Sequence, residues 1–275
     1  MGITVILLII VTSIFSYKGL TDNLFLDKYV FEVEKILVYK DYKRLVTSGF
    51  LHLNWQHLIF NMLILYFFSS YIEFSFGPFI YLLIYFTALI GSNLFSLLVH
   101  KNDAGYSSLG ASGAVNGIIF AVIALYPGVS INFFIISIPA WLYGLVYVLY
   151  SIYGIRSRKD NIGHDAHLAG AVIGVLFAIL LRPIILIENY ITIGLIIIPA
   201  VIFIYIIITR PGVLLVDNFF FKSQQQFYSI DHKYNANKVE QQKEVDAILE
   251  KIHKKGMDSL SKKEKQILEE YSKTN

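Results

Sequence analysis

Residues 105–128 read GYSSLGASGAVNGIIFAVIALYPG, and the change of character inside them decides the fold. A glycine- and serine-rich approach runs, without a single charge, into an apolar segment that stops at the turn Tyr126-Pro127-Gly128. The pattern predicts a helix that starts at Ser112 and is apolar all round, the signature of a helix surrounded by protein or lipid.

The rest of the chain decides in favour of lipid. Of its 275 residues 56% are hydrophobic, 15% aromatic and only 16% charged, too apolar for an ordinary soluble domain. A spanning helix needs about 20 mainly apolar residues. Seven stretches are candidates: 3–17, 57–76, 79–99, 112–126, 129–153, 165–181 and 190–209, the first and fourth being short. The turn signals Phe76-Gly77-Pro78 and Arg182-Pro183 fall between them. An all-α, polytopic transmembrane helix bundle is therefore predicted. Residues 18–56 are long and mixed in charge, which suits a partly folded loop resting at the interface. Residues 211–275 form a polar tail, where Val245, Ile248, Leu249 and Ile252, then Ser261 with Glu264 ahead of Ile267 and Leu268, predict an amphipathic helical hairpin. That tail is either a solvated appendage or a docking module for an unidentified partner.

Composition also excludes some chemistry. There is no cysteine, hence no disulfide, thiolate metal site or cysteine nucleophile. A net charge of +3, with basic and acidic residues alternating in the tail, makes no case for nucleic acid.

Polar groups inside spans are costly and mark functional positions. The candidates for chemistry among them are His57, Asn61, Ser112, Asn116 and His167. Ser112, in Gly110-Ala111-Ser112-Gly113, stands at a first helical turn, where free amides can stabilise a developing oxyanion. The same position also suits a plain helix cap. His167, in His164-Asp165-Ala166-His167, likewise begins its span. One span separates the two helices, so both run the same way and both residues reach one membrane face. Gly113 and Gly117, like Gly170 and Gly174, are four apart, which permits close helix approach and a bond from Ser112 to His167. His57 and Asn61, four apart at the start of a third parallel span, are either donors to a substrate carbonyl or interhelical hydrogen bonders. A metal site is weighed as well. His52 and His57 are separated by about 140° on an ideal helix, so they make no ligating pair, whereas His164, His167 and Asp165 leave a small opening for one.

Together these residues resemble the rhomboid family of intramembrane serine proteases. The likeness covers roughly residues 3–181 and is carried by Arg44, by HxxxxHxxxN at His52, His57 and Asn61, by ExxxG at Glu73 and Gly77, by GxSG at 110–113 and by HxxGxxxG at His167, Gly170 and Gly174. It implies a six-helix core over 1–182, with an extra transmembrane helix at 183–210 outside it. It implies Ser112 as nucleophile and His167 as base of a dyad without a third member, acting on transmembrane protein substrates in the lipid bilayer and needing no cofactor or metal. The Ser112 amide, His57 and Asn61 are the implied oxyanion hole. Arg44 and Glu73 are implied structural residues, and His52, Gly110, Gly113, His164, Gly170 and Gly174 support the site. Asn116 departs from the pattern, because many members carry there an aromatic ring stacked on the histidine; the expectation is that Asn116 positions the imidazole by hydrogen bonding instead. A cell-membrane location is expected. Two alternatives remain, a client-binding membrane protein without catalysis and a histidine-lined transporter or metal protein.

Overall fold

The computed structural model describes residues 2–133, 136–157 and 162–209, with Ile248, Lys251 and Ser261 beyond them. The chain divides into two compact units, 1–219 and 220–275, and the hairpin expected in the tail lies, single residues apart, outside the described residues.

Helix α1 (Ile3–Thr21) leads into a first loop built from α2 (Asn23–Tyr29), β1 (Phe31–Glu32), α3 (Val33–Leu37), α4 (Arg44–Thr47) and a single turn of 3-10 helix. The loop is folded rather than merely interfacial. Phe31, Val33, Ile36 and Leu45 form a small core of their own beneath it.

Next comes α5 (Trp55–His100), whose 46 residues would make a straight helix of about 69 Å, more than twice the hydrocarbon core. It does not run straight. Gly77 has φ 83°, a left-handed value that suits glycine, and Pro78 follows with no amide hydrogen to lose. Ser69 donates to the Tyr81 hydroxyl at 3.3 Å, although twelve residues of straight helix would hold them about 18 Å apart, so the chain folds back at Gly77. The two apolar halves are the stretches expected at 57–76 and 79–99.

The short β2 (Ser107–Ser108) pairs antiparallel with β1, tying the first loop to the approach to α6 (Ser112–Leu125). Every residue of α6 from Gly113 to Leu125 is buried, which makes it the central helix. One reading needs correction after it. The span expected at 129–153 opens instead as an antiparallel ribbon, β3 (Ser130–Phe133) and β4 (Ile136–Pro139), and only then becomes α7 (Ala140–Ser157). Val129 to Ile138 is rich in β-branched and aromatic residues, and Pro139 does not suit a helix interior. Helix α8 (His164–Leu181), the turn α9 (Ile185–Glu188) and α10 (Tyr190–Thr209) follow.

Among the described residues α1, α5, α8 and α10 are long and apolar enough to cross a membrane, and α6 is a shorter apolar helix. The protein is thus a predominantly helical membrane bundle with two small ribbons, in which α5 supplies two of the expected apolar stretches. Its surface is apolar as well as its core. Ser16, Asn61, Ser69, Ser92, Asn93 and Asn116 are buried, while Ile14, Phe74, Leu180 and Ile191 are exposed to what must be lipid.

Helices α6 and α8 meet backbone to backbone. A Cβ on Gly170 would collide with the Gly113 carbonyl, and one on Gly174 with that of Gly117. On the other side of α6, Ser92 and Ala88 of α5 fill the space left by Gly113 and Gly117. Helix α10 leans on α7, α8 and α6, and Asn189 just ahead of it donates to the Ala124 carbonyl at 2.8 Å, satisfying an orphan acceptor at the end of α6.

Candidate active site

Ser112 is the first residue of α6, so its amide is one of the four that find no acceptor inside the helix. The close α6–α8 contact brings its Oγ to 2.7 Å from His167 Nε2. That is the distance of a short, well-made hydrogen bond.

Gly110 shapes the approach. Its φ is +133°, and a Cβ there would stand 2.7 Å from His57 Cε1 and 3.7 Å from Ser112 Oγ. Only a glycine lets the His57 ring lie this close to the strand leading to Ser112. The His57 amide is capped by Asn54 Oδ1 at 2.8 Å, which starts α5 at the site. Asn61, one turn on, spends one of its two amide hydrogens on the His57 carbonyl at 2.9 Å, leaving the second for another acceptor.

His52 lies in the loop before α5, not on the helix, and its ring sits 4.9 Å from that of His57, edge to face. The separation calculated on an ideal helix therefore does not apply to this pair. The hydrogen-bond network identifies its tautomer. Ser16 Oγ gives its single hydrogen to the Phe50 carbonyl at 2.8 Å, so His52 Nδ1, 2.8 Å from the same Oγ, is the donor in that contact. His52 Nε2 is then bare and accepts the Ala111 amide at 3.3 Å. Burial, with a smaller contribution from His57, pushes the His52 pKa down to about 3, so the ring stays neutral. Through it α1 is joined to the residue before Ser112.

Asn116 requires a correction. Its Nδ2 donates to the Ser112 carbonyl at 2.8 Å and to the Tyr147 hydroxyl at 3.0 Å, and it is Tyr147 that reaches His167, with Oη 3.0 Å from Nδ1. The sequence reading missed Tyr147. The available signal was a stripe at helical spacing on α7, Tyr143, Tyr147 and Tyr150, next to a site whose usual ring position holds asparagine.

His164 is buried in the space left by Gly154 of α7, with its ring 6.1 Å from that of His167. Asp165 points away to His100 Nε2 at 3.4 Å, and the His100 ring stacks on Tyr106 at 3.6 Å. Farther off, Arg44 is buried and donates to the Val30 carbonyl at 2.6 Å and to Asp41 at 3.0 Å, pinning the first loop. Burial opposes ionisation of Asp41, but Arg44 and Lys43 outweigh it and hold the carboxyl below its ordinary range. Glu73 is buried against Gly2 at the start of α1.

Comparison with known proteins gives this arrangement a lineage. A model of the rhomboid domain matches residues 39–184, more than half of the chain. The chain belongs to the rhomboid family. This rhomboid is similar to "RHOMBOID-like protein 12, mitochondrial" of Arabidopsis thaliana, 34% identical over 48% of this chain and 44% of that protein. It is 32% identical to "Rhomboid protein 1, mitochondrial" of Saccharomyces cerevisiae over 56% of this chain and 45% of that one. With "Rhomboid protease AarA" of Providencia stuartii it shares 33% over 50% of this chain and 56% of that one. The chain spans about half the length of the curated relatives it matches. Residues 228–274 of this rhomboid match a second model, a family of unknown function (DUF6576), so the tail has relatives of its own. Mitochondrial names among these relatives give no support to the cell membrane in particular; the chain is an integral, multi-pass membrane protein.

Proposed function

We propose that this rhomboid is a serine endopeptidase that hydrolyses peptide bonds in or near the transmembrane segments of other proteins, with Ser112 as nucleophile and His167 as general base. The observation that carries this reading is the 2.7 Å contact between Ser112 Oγ and His167 Nε2 at adjoining helix starts. In the first step Oγ attacks the substrate carbonyl while its proton passes to Nε2. The oxyanion that forms is met by the Ser112 amide, by His57 and by the free hydrogen of Asn61. Collapse returns the proton from His167 to the leaving amine, and the acyl-serine ester is then hydrolysed by a water that His167 deprotonates. His52, Gly110, Gly113, Gly170 and Gly174 hold the two helix starts in register, and Arg44 and Glu73 brace the bundle around them.

Depth in the membrane supports the choice of substrate. The 14 residues of α6 span about 21 Å, less than the roughly 30 Å hydrocarbon core, so with its far end at one interface Ser112 lies below the other. A hydroxyl at that depth meets bonds that soluble proteases do not reach.

A fluorophosphonate that acylates activated serines tests the assignment. One adduct on Ser112 is expected, absent in Ser112→Ala and formed at least about 100-fold more slowly in His167→Asn. Equal labelling of the chain and of Ser112→Ala would return the reading to a membrane protein that binds clients without cutting them.

A further inference from the structure

His167 is engaged through both ring nitrogens. Nε2 meets Ser112 Oγ at 2.7 Å, and Nδ1 lies 3.0 Å from the phenol oxygen of Tyr147. That oxygen is 3.0 Å from Asn116 Nδ2, which also donates to the Ser112 carbonyl at 2.8 Å. A carbonyl oxygen only accepts, so the orientation of the Asn116 amide is determined by its partner. The four contacts close a ring that begins and ends on Ser112: hydroxyl, imidazole, phenol, amide, carbonyl. Three helices contribute to it, α6, α7 and α8.

Resting on the proteolytic reading above, we infer that Tyr147, held in place by Asn116, is the positioning residue for His167 and takes the place that a carboxylate occupies in a catalytic triad. A base that receives a proton at Nε2 must carry its resting hydrogen on Nδ1, and that hydrogen needs an acceptor. The phenol can accept from Nδ1–H or donate to a bare Nδ1, and only the first leaves Nε2 free for the serine proton. Once the imidazolium forms, both nitrogens carry hydrogens and Tyr147 can only accept. The contact is therefore strongest in the state reached during attack, which is where an interaction accelerates the reaction.

The surroundings suit a fixed acceptor. Tyr147 is stacked on Tyr143 at 5.7 Å and tilted against Phe120 at 5.8 Å, while Asn116 is buried. The Tyr147 and His167 ring centres are 6.2 Å apart, so the phenol meets the imidazole through its oxygen and not through a stacked face. With asparagine at 116, the ring expected one turn after Ser112 is replaced by an oxygen delivered from α7.

The test is steady-state cleavage of a single-pass peptide with a Gly-Ala segment between fluorophore and quencher, in phosphatidylcholine vesicles. Tyr147→Phe keeps the ring and its packing, and is expected to lower kcat roughly 10-fold or more with KM within about 2-fold. Asn116→Ala is expected to lower kcat in the same sense, and the double variant to be no slower than Tyr147→Phe alone, because both act through one ring of contacts. An unchanged kcat, a rise confined to KM, or multiplied effects in the double variant each overturn the inference. If Tyr147→Phe does not fold, Asn116→Ala decides by the same kcat criterion. With the unaltered chain active and Ser112→Ala inert, a failure here leaves the proteolytic reading standing; an inert unaltered chain removes both.

Discussion

At the scale of single residues, His52 shows how a buried imidazole links fold to pH. Its neutral ring accepts the Ala111 amide, and its pKa is depressed from 6.5 to about 3 by burial and by His57. The unfolded chain therefore binds a proton that the folded chain refuses. The contribution is fully present above about pH 6.5 and is lost as pH falls towards 3, with a slope of up to about 1.4 kcal/mol per pH unit. Thermal unfolding in detergent between pH 7 and 4 should show a steeper loss for the natural chain than for His52→Gln, by one proton; equal slopes would contradict the assignment. Ser112, His57, Asn61 and His167 could be singled out in the sequence because a polar group in an apolar span has a cost that demands a reason. Tyr147 offered a weaker signal, one ring of the stripe Tyr143, Tyr147 and Tyr150, since an aromatic residue in a membrane helix needs no explanation until its hydroxyl is seen against an imidazole. Ser16 was hidden as well, because α1 also carries Ser13 and Thr12 and nothing local sets one hydroxyl apart from the others.

At the scale of elements, the contact between α6 and α8 is what turns two distant motifs into one site. Gly174 lies directly against the Gly117 carbonyl. Gly174→Val should force the helices apart, costing about 1–3 kcal/mol of stability and lengthening the Ser112–His167 contact enough to suppress serine labelling. A variant with unchanged melting temperature and labelling would show that the glycine seam does not set the site. The seam was legible, because small residues four apart mark close helix packing without further information. The break in α5 was legible too, from Gly77-Pro78. The ribbon β3–β4 was not. Over residues 129–139 hydropathy alone cannot separate a buried helix from a short apolar hairpin, and the local signs of the hairpin, the β-branched residues and Pro139, lie inside one long apolar run.

For the whole molecule, the apolar composition places the chain in a membrane, and the fold agrees. The two ends of α6 should accordingly face opposite sides of the bilayer. The absence of native cysteine makes this easy to test. Asp103→Cys is exposed near the site end, and Gly128→Cys has open space around it at the other. A membrane-impermeant maleimide should reach the two from opposite sides of sealed vesicles, and labelling of both from one side would contradict the arrangement. What the run of apolar stretches does not show at this scale is the ribbon ahead of α7, which shortens the helix expected at 129–153. The most direct test of the central claim is mass spectrometry of a single-pass transmembrane peptide incubated in vesicles with the chain or with Ser112→Ala. Cleavage at a defined bond within or beside the membrane segment, by the chain and not by the variant, is the expected result; identical products from both, or none from either, would contradict it.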